Sequence, residues 1–190
     1  MLAAGQLPAA KFRVPSWGIC RIGWVPRIPD NLADDFEQFV QGPAYLRAVL
    51  DGLDAAMFNR RPPGEEWSIR DVVMHVADAE LVRAVSLRLV IAHDEATIPG
   101  WDEERFKRRL HYLFRDAELA LSQFQVVRFG NAELLQQLDA AGWQRAGTRE
   151  SDGSVASLGD LMQRAVGHDA THRAQVEAMR AALSAMAPAR

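Results

Sequence analysis

The segment of residues 68–82 reads SIRDVVMHVADAELV and has the pattern of a helix that is buried along one side. Ser68 is a suitable N-cap residue, and the carboxylate of Asp71 suits the first turn of a helix. Apolar residues recur at helical spacing in this segment, namely Ile69, Val72, Val73, Val76, Ala79 and Val82. His75 falls on the same face, so the sequence predicts an imidazole that points into the protein interior. The helix is expected to continue to about His93.

A second helix, predicted from about Leu158 to Met186, carries two more histidines on its inward side. Its inward stripe contains Leu158, Leu161, Ala165, His168, His172, Gln175 and Met179. His168 and His172 are one helical turn apart, so both imidazoles project from one face. Imidazoles in a bundle interior are costly unless they are satisfied, and a divalent cation satisfies them. The sequence therefore predicts a divalent metal site with open coordination positions, formed by His75, His168 and His172.

The remaining sequence predicts more helices and little or no sheet. Apolar spacing indicates a helical region from about Leu32 to the Pro62-Pro63 pair, a long helix over about 102–127 and a short one over about 132–140. The stretch 142–157 is rich in glycine, serine and charge, so we expect a loop there. No stretch alternates convincingly with period two. Four long helices joined by loops indicate an all-α four-helix bundle.

Composition excludes several classes of protein. Hydrophobic residues make up 48% of the 190 residues and charged residues 25%, values that predict one soluble globular domain. The net charge is −3 and no basic stripe stands out, so no nucleic-acid partner is expected. No apolar run approaches ~18 residues, so no membrane-spanning segment is expected. The single cysteine, Cys20, excludes an intrachain disulfide and fits a cytoplasmic protein.

The first 30 residues differ from the rest of the chain. They contain four of the nine prolines, at positions 8, 15, 26 and 29, and prolines at this density exclude a long helix. We therefore predict a proline-rich extended arm over residues 1–30 and a helical-bundle domain over residues 31–190. Lys11 and Arg13 interrupt the apolar stretch near the start, so a secretory signal peptide is not expected.

Two motifs together are similar to a known family. Residues 66–80, EWSIRDVVMHVADAE, contain the spacing W-S-x-x-D-x-x-x-H, and residues 167–176 read GHDATHRAQV. In this order and at this separation they resemble the second and closing helices of the DinB-like (YfiT-like) metalloenzyme superfamily. The resemblance covers about residues 35–185. It implies an all-α four-helix bundle of DinB/YfiT-like topology, with a short extra helix before the last long helix.

The resemblance also implies a cofactor and partners. Metals of the family include zinc and nickel, and the ligands here would be His75, His168 and His172, with water completing the shell. Family members are often dimers, so a homodimer is expected. Some relatives transfer a low-molecular-weight thiol or isomerise a substrate with its help, which implies such a thiol as a co-substrate.

These observations favour a metal-dependent enzyme that acts on a small-molecule substrate. A three-histidine divalent site lowers the pKa of bound water to about 7 or binds a thiol as thiolate, and either supplies a nucleophile at neutral pH. The hypothesis is therefore a hydrolase or a low-molecular-weight-thiol S-transferase. Two alternatives stay open: a non-catalytic bundle that binds a metal or small ligand, and a bundle that binds no metal.

A thermolysin-like protease is rejected, although H-D-x-x-H looks like H-E-x-x-H. Asp169 is one methylene shorter than the glutamate base of such sites. The third ligand of those sites usually lies downstream, yet only 18 residues follow His172. Glu177 is too close along the same helix to serve as that ligand.

Other candidate residues have weaker signals. Asp78 lies one turn after His75 and is a candidate base, a residue that orients a histidine, or a further ligand. Glu80 sits about 140° from His75 around the helix, so it is not expected to bind the metal. His93 is predicted to lie at a helix end and His111 at the surface. Three tryptophans are expected to be packing anchors or pocket walls, namely Trp67, Trp101 and Trp143.

Overall fold

The computed structural model describes residues 28–186, and four long helices dominate this part of the chain. The elements are, in chain order, α1 (Ala33–Leu50), α2 (Ala55–Asn59), α3 (Ile69–Ala92), β1 (Ala96–Ile98), α4 (Glu103–Arg109), α5 (Ala117–Gln136), α6 (Ala140–Trp143), β2 (Ala146–Arg149), β3 (Val155–Ser157) and α7 (Leu158–Ala185). The long helices are α1, α3, α5 and α7, and short α6 precedes α7. The predicted four-helix bundle with an extra short helix is therefore confirmed. The arm predicted over residues 1–30 lies almost entirely outside the described residues.

Serine capping boxes begin the two helices that carry the histidines. The Ser68 hydroxyl accepts a hydrogen bond from the Asp71 backbone N–H, and the Asp71 carboxylate accepts from the Ser68 backbone N–H. Ser157 and Asp160 form the same reciprocal pair at the start of α7. Each box satisfies backbone donors that a helix N-terminus leaves without partners. The predicted starts of both helices are confirmed.

The long helices enclose two apolar clusters. Helix α3 packs against α5 and α7, and α1 packs against the same two helices. One cluster surrounds Phe39 and Met162, near the start of α7. The other surrounds Met74 and Phe124, near the start of α3. Between the two clusters each long helix passes a level where apolar side chains give way to polar ones or to glycine.

We call the side chains at this level the polar layer. It consists of His75 and Glu80 on α3, Arg128 and Asn131 on α5, and His168, Asp169 and His172 on α7. On α1, Gly42 lies at the same level. A Cβ on Gly42 would overlap Asp169 Oδ2 and lie 2.7 Å from Arg128 Nη1. Glycine at this position thus leaves the room that the polar layer needs.

The helix predicted over residues 102–127 is wrong, because the chain turns twice within it. Helix α4 ends at Arg109, and His111 adopts a left-handed conformation with φ of 51°. A 3-10 turn follows at Tyr112–Phe114, and the Asp116 carboxylate then caps the start of α5. The short helix predicted over 132–140 is also misplaced: α5 continues to Gln136, and the short helix is α6.

The stretch 142–157, predicted as a loop, contains two of the three strands of a small sheet. Strand β2 pairs in parallel with β1, Ala96 opposite Gly147, and antiparallel with β3. A Cβ on Gly147 would lie 2.9 Å from the Ala96 carbonyl oxygen, so glycine permits this close approach. The sheet is minimal, as expected, but its position was not predicted.

The first helical region also differs from its prediction. Helix α1 continues through Pro43 and ends at Leu50, and the separate helix α2 follows before the Pro62-Pro63 pair.

Within residues 28–186 no helix combines the length and the apolarity that crossing a bilayer requires.

Candidate metal centre

The three predicted histidines converge in the polar layer. His75 on α3 and His168 and His172 on α7 each offer a ring nitrogen, and these nitrogens lie within 4.8 Å of one another. His75 Nε2 is 2.9 Å from His168 Nε2. Within the described residues this is the only group of three or more histidine, cysteine or acidic side chains so arranged. These three nitrogens would be the ligands of one divalent cation.

The hydrogen bonds around the rings leave lone pairs for a cation. Gln175 Oε1 is 2.8 Å from His172 Nδ1, so Nδ1 carries the proton and Nε2 presents its lone pair. His75 Nδ1 and His168 Nδ1 are buried with no hydrogen-bond partner among residues 28–186. The two facing Nε2 atoms share at most one proton between them. A cation would bind these nitrogens and remove the repulsion between lone pairs, so the donor set fits a divalent metal.

Burial keeps two of these imidazoles neutral at physiological pH. Burial, the largest cause, and the neighbouring His172 and His168 together lower the pKa of His75 from 6.5 to about 3. Burial also lowers the pKa of His172, again with a contribution from His168. Neutral imidazole is the form that binds a metal. Protons therefore compete weakly for these two nitrogens near pH 7.

Two aromatic rings and one carboxylate face His75. Trp101 stacks on His75 with ring centroids 5.2 Å apart, and Trp67 meets it edge-on at 5.1 Å. Glu103 Oε2 lies 3.7 Å from His75 Nε2, and the Glu103 side chain is 58% exposed. The Asp102 carboxylate caps α4, which begins at Glu103. The start of α4 thus places a solvated carboxylate next to His75 Nε2.

Beside the histidines, the polar layer contains a fully buried arginine. Arg128 Nε donates to Glu80 Oε1 at 2.9 Å and Nη2 donates to Glu80 Oε2 at 2.7 Å. Arg128 Nη1 donates to Asp169 Oδ2 and to the Phe39 carbonyl, both at 2.7 Å. Asn131 Nδ2 donates to Glu80 Oε1 at 2.7 Å. These bonds tie α1, α3, α5 and α7 together at the level of the histidines.

The three central groups of this network are all charged. Burial alone raises the pKa of Glu80 and of Asp169, but Arg128 outweighs burial, so both pKa values lie below the ordinary range. Burial alone lowers the pKa of Arg128, yet the two carboxylates outweigh it and raise that pKa. Asp169 Oδ1 also lies 3.8 Å from His168 Nδ1. The network therefore fixes the backbone of α7 where it carries the histidines.

A cavity of about 530 Å³ opens beside the histidine group. His168 and Trp101 form part of its wall. Pockets that bind small molecules typically have volumes of about 300–1,000 Å³. Three protein nitrogens beside such a cavity differ from a closed structural site, in which four protein ligands surround the metal.

A protein-family comparison identifies the group to which this architecture belongs. The family model described as the DinB superfamily matches residues 38–176, well over half of the chain, and the match includes all three histidines. The chain belongs to the DinB superfamily. The family that the two motifs indicated is therefore confirmed.

Two bacterial relatives of this DinB protein are each described as a "putative metal-dependent hydrolase". The relative from Bacillus licheniformis is 23% identical over 140 residues, which cover 74% of this chain and 80% of the relative. The relative from Oceanobacillus iheyensis is 24% identical over 137 residues, which cover 72% of this chain and 78% of the relative.

Solved structures share the fold of this DinB protein. YfiT from Bacillus subtilis, described as a "probable metal-dependent hydrolase with an unusual four-helix bundle topology", matches with a TM-score of 0.76 and 18% identity. The match covers 85% of this chain and 94% of YfiT. A mycothiol-dependent maleylpyruvate isomerase matches with a TM-score of 0.62 and 14% identity over 78% of this chain and 61% of that protein. At these identities the likeness shows the fold alone.

The weaker candidates from the sequence lie in varied surroundings. Asp78 is buried and accepts a hydrogen bond from Arg115 Nη1 at 2.6 Å, so its carboxylate is engaged away from the histidine group. His93 is the C-cap of α3, and His111 is exposed. Of the tryptophans, Trp67 and Trp101 pack against His75, whereas Trp143 belongs to the apolar cluster near the start of α7.

Sequence reasoning missed two residues beside the histidines. Arg128 had a usable signal, because it follows Phe124 by four residues and so falls on the buried stripe of α5. A cation on such a stripe implies buried carboxylate partners. Glu103 had no comparable signal, because its neighbours Asp102 and Glu104 are equally acidic.

Proposed function

We propose that this DinB protein is a metal-dependent hydrolase for a small-molecule substrate, in which His75, His168 and His172 hold one zinc or nickel ion. One observation carries the proposal: three imidazole nitrogens converge beside a cavity, with no fourth protein ligand in their group among residues 28–186. The descriptions of the two bacterial relatives support the choice of hydrolysis. That His75, His168 and His172 are the metal ligands is likewise a proposal.

The bound cation would act as a Lewis acid that lowers the pKa of water and polarises the bond to be broken. Gln175 holds the His172 ring in the tautomer that presents Nε2. Trp101 shields one face of His75 from water. Glu103 Oε2, 3.7 Å from His75 Nε2, is positioned to accept the proton of an attacking water. Glu103 thus replaces Asp78 as our candidate general base.

Elemental analysis and a hydrolysis screen test the proposal together. Full-length protein purified without an affinity tag should contain about one equivalent of zinc or nickel under replete conditions. The His168→Ala variant should lose both the metal and the hydrolysis, whereas His93→Ala, which removes an exposed histidine, should keep both. Metal well below one equivalent in the unaltered protein, or hydrolysis that survives His168→Ala, contradicts the proposal.

A second candidate reaction is the transfer of a low-molecular-weight thiol. It is supported by the fold shared with a mycothiol-dependent isomerase and by the cavity of about 530 Å³, which lies within the range of small-molecule pockets. A conjugation screen of the metal-loaded protein with such thiols distinguishes this reaction from hydrolysis. Stoichiometric metal without turnover in either screen would support the remaining alternative, a non-catalytic metal- or ligand-binding protein.

The homodimer and the cytoplasmic location remain predictions as well. The first is supported by the family, in which dimers are common. The second is supported by the single cysteine, Cys20, in a chain of 190 residues. Sedimentation of the purified protein would test the oligomeric state.

A further inference from the structure

The cavity beside His168 is cationic. Three arginines line it, Arg83 from α3, Arg149 from the end of β2 and Arg164 from α7. No aspartate or glutamate lines this cavity in the described part of the chain. This local charge contrasts with the whole chain, whose net charge is −3. Three guanidinium groups around one cavity are an arrangement suited to an anion.

Two of these arginines have no carboxylate partner. Arg83 Nη1 lies 2.5 Å from Glu80 Oε2, so its charge is balanced within the polar layer. Arg149 and Arg164, in contrast, form no ion pair within 4 Å among residues 28–186. Hydrogen bonds and, to a lesser extent, the nearby Arg149 lower the pKa values of Asp152 and Asp160, but neither carboxylate forms an ion pair with an arginine of the cavity. The guanidinium groups of Arg149 and Arg164 therefore remain available to an anion.

Arg164 and the histidines share one helix face. Arg164 precedes His168 by four residues on α7, and His168 precedes His172 by four, so the three side chains follow one another along the helix. Apolar groups of Ala79, Val82 and Leu161 complete the wall between α3 and α7. A molecule in the cavity would thus reach the histidine group with one end and the arginines with the other.

From this geometry we infer that the substrate carries an oxyanion, a carboxylate or a phosphate, that binds to Arg149 and Arg164 while its reacting group lies at His168. The inference deepens the proposed hydrolase function and depends on it for the identity of the reacting end. Planar guanidinium groups bind both carboxylates and phosphates through paired hydrogen bonds. The arginines therefore predict an anionic ligand without distinguishing a carboxylate from a phosphate. The test below separates the two anions.

Nuclear magnetic resonance titration of the full-length, nitrogen-15-labelled protein tests the inference, with and without zinc. The probes are succinate, inorganic phosphate and the neutral analogue succinamide, at constant ionic strength. Either anion should saturate shifts of the Trp101 indole N–H and of the Gly100 and Ser151 amides, whereas succinamide should not. Tighter binding of succinate would assign a carboxylate, and tighter binding of phosphate a phosphate.

Charge-matched variants locate the binding. Arg149→Gln/Arg164→Gln should weaken anion binding at least about tenfold, because charged hydrogen bonds are lost. Arg60→Gln/Arg61→Gln removes two exposed arginines before α3 and should leave the affinity unchanged. Circular dichroism melts check that both variants fold. Equal shifts with succinamide, no saturable shifts with either anion, or unchanged affinity in the cavity variant would overturn the inference.

The metal titration separates this inference from the proposed function. Anion binding at Trp101 in a protein that binds neither zinc nor nickel would refute the metal-dependent hydrolase and leave the anion site standing. Stoichiometric zinc without anion binding would refute the anion site alone.

Discussion

The polar layer has an arginine part and a histidine part, which differ in how far the protein itself satisfies their polar atoms. In the arginine part, all three nitrogens of Arg128 donate to protein acceptors, and both oxygens of Glu80 accept hydrogen bonds. In the histidine part, His75 Nδ1 and His168 Nδ1 are buried without partners among residues 28–186. One part is satisfied by the protein itself, and the other is left with spare binding capacity.

This difference separates what the polar groups do for the fold from what they do for a ligand. Buried polar atoms are nearly always hydrogen-bonded, so exceptions in a defined cluster call for an explanation. Here the unsatisfied atoms are ring nitrogens of His75 and His168, and His168 lines the cavity. The hydrogen-bonded network of Arg128 holds the neighbouring Asp169 in place. We therefore expect changes in the arginine part to alter stability and changes in the histidine part to alter metal binding.

Replacing the buried arginine should have the largest effect. Arg128→Met leaves Asp169 without its cationic partner and Glu80 with only Arg83, and we expect a loss of about 3–5 kcal/mol in the free energy of unfolding. Urea denaturation measures it. Arg47→Met, which breaks an exposed pair with Glu118, is the matched control and should cost less than about 1 kcal/mol. Similar losses for both variants would remove the distinction that we draw.

Zinc should stabilise the protein through the histidine part alone. At a free zinc concentration of 100 Kd, the free energy of unfolding should rise by about 2.7 kcal/mol. His168→Ala should abolish this increment, because it removes one of three ligands. The same increment in His168→Ala would show that zinc stabilises the fold elsewhere. Thermal melts with and without zinc, with His93→Ala as the control, provide the measurement.

A glycine substitution tests how tightly the arginine part is packed. Gly42→Ala would place a methyl group against Asp169 Oδ2 and Arg128 Nη1, and overpacking of this kind costs about 1–3 kcal/mol. Gly130→Ala, also in a long helix, meets only Arg88 Nη2 at 3.9 Å and should instead stabilise by about 0.5–1 kcal/mol. Opposite signs for the two variants support a close-packed network. A neutral Gly42→Ala would show that the network adapts.

The sequence predicted the structure well where a local helix signal coincides with buried polar side chains that require partners from another helix. Ser68 and Ser157 mark the helix starts through capping boxes, and the following apolar spacing orients His75 and His168 inward. Because an imidazole on a buried face needs a partner, the three-histidine group followed from the helix faces alone.

Sequence reasoning failed where the structure depends on pairing between distant segments. Strands of three or four residues, such as β1 and β2, are too short to show alternation, and their pairing joins Ala96 to Gly147. The backbone of His111 adopts a left-handed conformation and ends the helix, although the apolar residues on both sides keep helical spacing. The place of Glu103 depends on where α4 docks, which no local pattern encodes.

The pH dependence of the free energy of unfolding should also distinguish the histidine part from the arginine part, and it is the smallest of the effects that we predict. Between pH 6.5 and about 3 an unfolded histidine binds a proton that folded His75 does not, so the unfolded state gains protons and stability falls as the pH falls. For His75 alone the slope approaches about 1.4 kcal/mol per pH unit, and His172 adds to it. Glu80 and Asp169, whose pKa values are lowered, lose their contribution only at more acidic pH, below their ordinary values of 4.5 and 3.8.

Urea unfolding of the metal-free protein between pH 6.5 and 5.0 therefore reports the histidine part with little contribution from the arginine part. His75→Gln should flatten the slope, because glutamine binds no proton in either state. His111→Gln, at an exposed position, should leave the slope close to that of the unaltered protein. If His75→Gln kept the full slope, the acid sensitivity would come from other groups. The buried imidazole would then not be the neutral, metal-ready ligand that its surroundings indicate.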